Sequence, residues 1–446
     1  MYSFPKNLYT DIRIEDVSIS EITFENGELK QNLMRKHNKG AFIRIYDGHR
    51  WYYCSTTDIE NLQEEIDRLA RMARPNENIE EDPIVKRFQV NTGEFLHFKN
   101  NDILNVPQEN KLNLLKSFFP IIESKEEIKM WRAVYIDRKV TKEFYSSKGT
   151  NLKFDYQTCA LAYRYSINVD GKTLDSGYDK TTTDFNELKS FGDKLREKIE
   201  KDILYTKDAK PVKPGKYTVI FSPIATGVFT HESFGHKSEA DLMLGDETMM
   251  KEWKIGKKVG VDNLSIVDQG DILGSGFVPF DDEGTKAEKT YLVKNGILTG
   301  RLHSSITAAA LDENITGNAR AINFEFEPIV RMTTTYIEAG DKTKEELIAG
   351  VKEGILIEDI KHGSGMSTFT IAPRIAYMIR NGRIAEPVNI AVVTGNVMET
   401  LYEIDGISKE LEFHSFSLGG CGKFEQFPLP VGLGGPYIRV NNITVQ

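Results

Sequence analysis

Residues 159–171 read CALAYRYSINVDG, and the alternation in this stretch sets the fold class. Cys159, Leu161, Tyr163, Tyr165, Ile167 and Val169 occupy every second position, the period of a strand with one buried face. Asp170-Gly171 then supplies a pair that tolerates positive φ angles, the mark of a tight hairpin. The signal recurs at Asn26-Gly27, Asp47-Gly48, Asn295-Gly296 and Asn381-Gly382, each between apolar, β-prone runs. Several antiparallel ribbons are therefore expected.

Helices are fewer. Thr57 with Glu60 forms a capping-box pattern ahead of Ile59, Leu62, Ile66, Leu69 and Ala73, which recur at helical spacing. Leu188, Phe191, Leu195, Ile199 and Ile203 repeat the pattern before KDAKPVKPGK, residues 207–216, where prolines and a glycine interrupt a polar run. RPNENIEEDP, residues 74–83, reads as a loop inside the first half. The expected architecture is α+β: an N-terminal domain of antiparallel strands with a few helices over 1–206, a linker over 207–216, and a strand-rich C-terminal domain over 217–446.

The chain has 446 residues, 40% apolar and 28% charged, the balance of a globular protein large enough to bury a core without staples. Lys+Arg is 57 against Asp+Glu 66, a formal charge of −9 that supplies no basic footprint for nucleic acid and disfavours an anionic membrane surface. No run of about 18 apolar residues suggests a membrane span, and MYSFPKNLYTDIRIED has neither the charged nor the apolar region of a signal peptide. Three cysteines, Cys54, Cys159 and Cys421, are too few and too odd in number for a disulfide framework. A reducing compartment, the cytoplasm, is the expected address.

Chemistry concentrates just after the linker. Residues 217–241 read YTVIFSPIATGVFTHESFGHKSEAD: an apolar strand passes through Pro223 into a helix bearing His231, Glu232 and His236. Two imidazoles flanking a carboxylate are the parts of a zinc hydrolase, with histidines as ligands and glutamate as base. The common zinc helix spaces its histidines four apart. Here they are five apart, which on a regular helix separates the side chains by about 140°. Both reach one ion only if the helix is overwound, bulged or ending, and Gly235 is the natural place for such a distortion. Without that, the residues are ordinary polar groups on a helix. A catalytic zinc also needs a third protein ligand. His37, His49, His97, His303, His362, His414 and Cys421 are the candidates. Cys421 lies in a segment with six glycines among the 19 residues Ser417 to Gly435, where backbone approaches a ligand closely. Cys54 and Cys159 sit in apolar strands and read as structural. A cysteine nucleophile at Cys421 is the rival chemistry, and it leaves the His-Glu-His cluster unexplained.

HESFGHKSEAD resembles the H-E-x-x-G-H-x-x-E-x-D signature of the TldD/PmbA family of zinc peptidases, also called modulators of DNA gyrase. FDDEGTKAEKTYLVKNGILTG, TGNARAINFEFEPIVRMTTTYIEAG and GGCGKFEQFPLPVGLGGPYIRV resemble three further blocks of that family, in order. IRIEDVSISEITFENGELKQ and YDGHRWYYCSTTDIENLQEEI are similar to its opening strands and first helix, so the resemblance spans nearly the whole chain. It implies one zinc ion per chain held by His231, His236 and Cys421, with Glu232 as general base. It also implies peptide substrates, short or unfolded, and assembly as a homodimer or with a family subunit that lacks the signature. Two positions depart from the family pattern: Glu425 stands where glycine is usual and Thr334 where asparagine is usual.

Around this centre, Glu239 and Asp241 are candidates to support the ligands, or else solvated acids. Arg320 and Arg331 are candidates to bind a substrate carboxylate, with internal ion pairs as the alternative. The leading function is a zinc-dependent peptidase. A non-catalytic adaptor subunit and a hydrolase of non-peptide amides are the alternatives.

Overall fold

Asn26 and Gly27 take φ angles of 47° and 80°, and the strands they join pair from Glu25 opposite Glu28 onward. Asp170-Gly171, Asn295-Gly296 and Asn381-Gly382 do the same, with positive φ at both residues of each pair. Four of the five expected turns are therefore two-residue hairpins whose twist matches their strands. The fifth is different. Only Gly48 of Asp47-Gly48 has positive φ, and the Asp47 carboxylate accepts hydrogen bonds from the amides of His49 and Arg50. That side chain holds a longer loop between Tyr46 and Trp51.

The computed structural model describes residues 2–446. Its first sheet has seven strands. Trp51–Thr56, Glu28–Tyr46, Tyr9–Glu25, Ile128–Ser146 and Asn151–Val169 lie side by side, antiparallel. The last of these also pairs with Lys172–Thr182 and, in parallel, with Thr92–Phe95. Cys159, Leu161, Tyr163, Tyr165 and Ile167 are buried on one face, as their alternation requires. The helix Phe191–Asp208 covers that face with Phe191, Leu195 and Ile199.

Two local expectations fail. Thr57 caps nothing: the helix begins at Leu62 behind Asn61, because the Thr56 hydroxyl first engages the Asp58 amide in a turn. Leu62, Ile66 and Leu69 still form its buried face. The stretch 207–216 is not a free linker either. The helix runs through Asp208, Lys210–Pro211 pairs in parallel with Val388 and Asn389, and Gly215 opens the next strand. Backbone pairing at both ends outweighs its polar composition.

Beyond it, five strands pair in a closed ring: Gly215–Phe221, Glu353–Gly365, Thr368–Arg380, Val393–Asn396 and Ile438–Val445, the last returning to the first. A separate six-stranded sheet includes Ile266–Gln269, Thr334–Ile337, Glu412–Ser415 and Gly432–Gly435. The resulting fold is mixed α+β and rich in strands. Among the described residues no helix is long and apolar enough to cross a membrane.

The two halves lock together through buried charge. Arg44 donates to Asp11 at 2.7 Å and to Glu283 at 3.0 Å, and Lys142 bridges Glu15 at 3.2 Å and Asp282 at 2.5 Å. All these side chains are at most 5% exposed, so each charge depends on its partner for solvation. Arg44→Met leaves Asp11 and Glu283 without a counter-charge. It is expected to lower unfolding stability by about 3–5 kcal/mol, read as a fall in the urea midpoint.

Candidate metal centre

Ser222, in extended conformation, and Pro223 at the first helical position start the helix Pro223–Phe229 directly off the strand Gly215–Phe221. Gly227 lets this helix lie against the strand Gly432–Gly435, since a Cβ there would come within 2.5 Å of Leu433 and 2.8 Å of the Gly434 nitrogen. The Thr230 hydroxyl donates to the Thr226 carbonyl at 2.7 Å, a back-bond that loosens and bends helices. From Thr230 to Gly235 the chain makes a π-helical turn, followed by a short 3-10 turn at His236–Ser238. The His236 amide donates to the His231 carbonyl five residues back. That widened turn superposes positions five apart, and it answers the spacing problem posed by the sequence.

Gly235 has a different job from the one its dihedral freedom suggests. Its φ and ψ are −58° and −56°, ordinary helical values. A Cβ there would lie 2.0 Å from the Met332 sulfur, so the position demands glycine for close packing.

The two imidazoles stand with ring centroids 5.2 Å apart. Cys421, on the strand Cys421–Lys423, brings its Sγ to 3.3 Å from His236 Nε2. Ligand atoms of His231, His236 and Cys421 all lie within 4.8 Å of one another. Among the described residues this is the group of His, Cys, Asp and Glu side chains that can close on one ion. The donor set fits zinc, whose bonds of about 2.3 Å to sulfur and 2.0–2.1 Å to nitrogen put tetrahedral S and N ligands about 3.6 Å apart. His231 Nδ1 is buried with no hydrogen-bond partner, a further sign that the trio is built to receive something.

Electrostatics agree. Burial pushes the Cys421 thiol up, but His231 and His236 outweigh it and hold its pKa at about 5. Burial pulls His236 down, and its hydrogen bonds to Cys421 and Glu239 raise it to about 10 instead. Both shifts favour a proton on His236 over one on the Cys421 sulfur, and a divalent cation is a natural replacement for it. His236 Nδ1 lies 3.1 Å from Glu239 Oε2, a contact that fixes the ring and turns Nε2 toward Cys421. Glu239 is fully buried; burial pushes its carboxyl up, and His236 and Lys423 hold it below the usual value.

Glu232 lines a cavity of about 910 Å³ together with His231 and Cys421. Tyr178 and Lys198 from the first half and Glu358 and Arg374 from the second also line it. Of the other histidines, His362 and His414 line the cavity but stay outside the ligand trio. His303 is committed to Thr307 and Glu313, and His37 to Asp16. All three cysteines are free, with Cys159 fully buried in the first core.

Arg320 and Arg331 have other partners than a substrate. Arg320 donates to the carbonyls of Met332 and Pro430, and Arg331 to those of Cys421 and Gln426. Both are buried and neither lines the cavity, so their charges hold loops in place. Asp241 binds Lys423 rather than a ligand. Thr334 packs between Gly276 and Gly432, and Glu425 is exposed at the turn after Lys423; neither touches the trio. Lys423 itself escaped the sequence reading. Its signal was position: two residues from Cys421 on a strand, it points to the same side as the thiol.

Residues 214–446 match the family model described as the PmbA/TldA metallopeptidase C-terminal domain, and residues 10–74 match PmbA/TldA metallopeptidase domain 1. A metalloprotease of Methanocaldococcus jannaschii is 30% identical over 97% of this chain and 95% of its own length. A zinc metalloprotease TldD homolog of Saccharolobus solfataricus is 29% identical over 98% and 96%. Among solved structures, a Thermotoga maritima protein described as a modulator of DNA gyrase superposes with a TM-score of 0.78 at 18% identity, covering 98% of this chain and 96% of that one. TldE from Thermococcus kodakarensis gives 0.76 at 16%, with the same coverage. These two likenesses establish the fold.

The Gly235 contact carries a prediction. Gly235→Ala drives a methyl group into Met332 and is expected to cost about 1–3 kcal/mol of stability. Thermal unfolding measures that cost, and metal retained after gel filtration should fall with it, because the crowded atom adjoins His236.

Proposed function

The chain belongs to the TldD/PmbA family of metallopeptidases, and from that premise we propose that it is a zinc-dependent peptidase acting on short or unfolded peptides, with Glu232 as general base. One observation carries the reading: the ligand atoms of two histidines and a cysteine converge within 4.8 Å, and His231 and Cys421 of that trio share a cavity wall with the Glu232 side chain. A scaffold or adaptor has no use for such a group. Leaving a buried nitrogen such as His231 Nδ1 without a partner costs about 1–3 kcal/mol, which a merely structural site would shed.

His231, His236 and Cys421 are the residues that would hold the ion. Bound zinc supplies a Lewis acid for the scissile carbonyl and makes water acidic enough to lose a proton near neutral pH. Glu232, on the cavity wall with His231 and Cys421, would take a proton from water and return it to the leaving amine. Glu239 keeps the proton of His236 on Nδ1, so that Nε2 offers its lone pair. Walls from both halves of the chain shape a cavity of about 910 Å³ that admits an extended peptide more readily than a folded domain. The same reading has the chain work in a reducing cytoplasm, where the Cys421 thiol stays available. It also has the chain assemble as a dimer, of two like chains or with a signature-lacking subunit.

Glu232→Ala should keep about one zinc per chain and lose peptide cleavage by at least ~100-fold, the contribution of a general base. Metal analysis beside digestion of a peptide library measures both. Cleavage retained in that variant would sink the mechanism.

A further inference from the structure

His236 and Cys421 are 185 residues apart in the chain, yet their donor atoms meet at 3.3 Å. The side chain that spans the two segments is Lys423. It shares a strand face with Cys421, is 5% exposed, and makes two hydrogen bonds and an ion pair with fixed partners. Asp241 Oδ1 lies at 2.5 Å, the Val330 carbonyl at 2.8 Å and Glu239 Oε2 at 3.2 Å. That last oxygen is also the one 3.1 Å from His236 Nδ1.

A closed circuit follows. It runs from Cys421 along two residues of strand to Lys423, across to Glu239, on to His236, and back through Nε2 to the thiol. Arg331 pins the same strand from behind by donating to the Cys421 carbonyl at 2.8 Å. We infer that Lys423 is a positioning residue of the metal centre, tying the strand that bears Cys421 to the carboxylate that orients His236. The inference rests on the metallopeptidase reading above. Lys423 is absent from the cavity wall and touches no reacting atom. An ordinary buried ion pair would stabilise the fold and leave the metal's surroundings unchanged. A positioning residue must change them.

The test compares wild type, Lys423→Met, Glu239→Gln and the double variant, each titrated with zinc against a chromophoric chelator. Each single variant is expected to weaken zinc binding about 10–100-fold. The double variant should lose no more than the worse single one, because both act through one chain of contacts. Cobalt(II) loaded in place of zinc gives a second readout. In Lys423→Met its d–d bands shift while the thiolate charge-transfer band persists. Should Lys423→Met fail to fold, Lys423→Arg keeps the charge, alters the reach, and is expected to show the same spectral shift with a smaller loss of affinity. Wild-type zinc affinity with an unshifted cobalt spectrum in the folded variant overturns the inference, as does a double variant whose loss is the product of the two. A wild-type chain that holds no zinc overturns the metallopeptidase reading itself, and this inference with it.

Discussion

One backbone hydrogen bond governs the chemistry of this protein: the His236 amide donating to the His231 carbonyl five residues back. In a regular α-helix the two imidazoles would diverge by about 140° and share nothing. With the turn widened to the π register their ring centroids stand 5.2 Å apart, and the Cys421 sulfur from near the far end of the chain closes on them. The turn is held by its surroundings. Met332 fills the space beside Gly235, the Gly432–Gly435 strand lies against Gly227, and the Ser238 hydroxyl donates to the Gly235 carbonyl at 2.6 Å. π-helical turns are rare and gather at functional sites, where a local cost in backbone geometry is offset by packing.

The second constraint acts between the two halves of the chain. A cavity walled by both halves keeps its shape only if the halves do not slide, and their contact includes, beside apolar packing, buried ion pairs whose partners lie on opposite sides. Arg44 and Lys142 sit on the first sheet; Asp282 and Glu283 sit on a loop of the second half. Such pairs add little net stability over apolar packing, but they are directional, and a displaced partner leaves a bare charge behind. Rigid docking of this kind suits the proposed site, in which Glu232 and the His231, His236 and Cys421 trio would meet one substrate.

Much of this was legible in the sequence. Asn-Gly and Asp-Gly pairs mark hairpins because few residues tolerate positive φ, and four of five behaved so. The fifth failed because the Asp47 side chain competes for the backbone, a tertiary choice that a dipeptide does not reveal. The α+β class and the family followed from alternation and from ordered blocks of motif. At the site, His231, Glu232 and His236 announce themselves by type and spacing, and the spacing even demands a distorted helix. Residue types alone left seven candidates for the third donor, and only the family resemblance singled out Cys421. The burial of Arg320 and Arg331 against main-chain carbonyls was beyond the sequence, because those carbonyls are brought up by the fold. The reason for glycine at 235 was equally hidden, since Met332 reaches it from a distant segment.

The central claim is that His231, His236 and Cys421 share one ion. Zinc K-edge X-ray absorption on the purified chain tests it most directly. The account predicts a single sulfur at about 2.3 Å and two imidazole nitrogens at about 2.0–2.1 Å around one zinc per chain. A coordination shell of nitrogen and oxygen without sulfur, or a chain that retains no zinc, would contradict it.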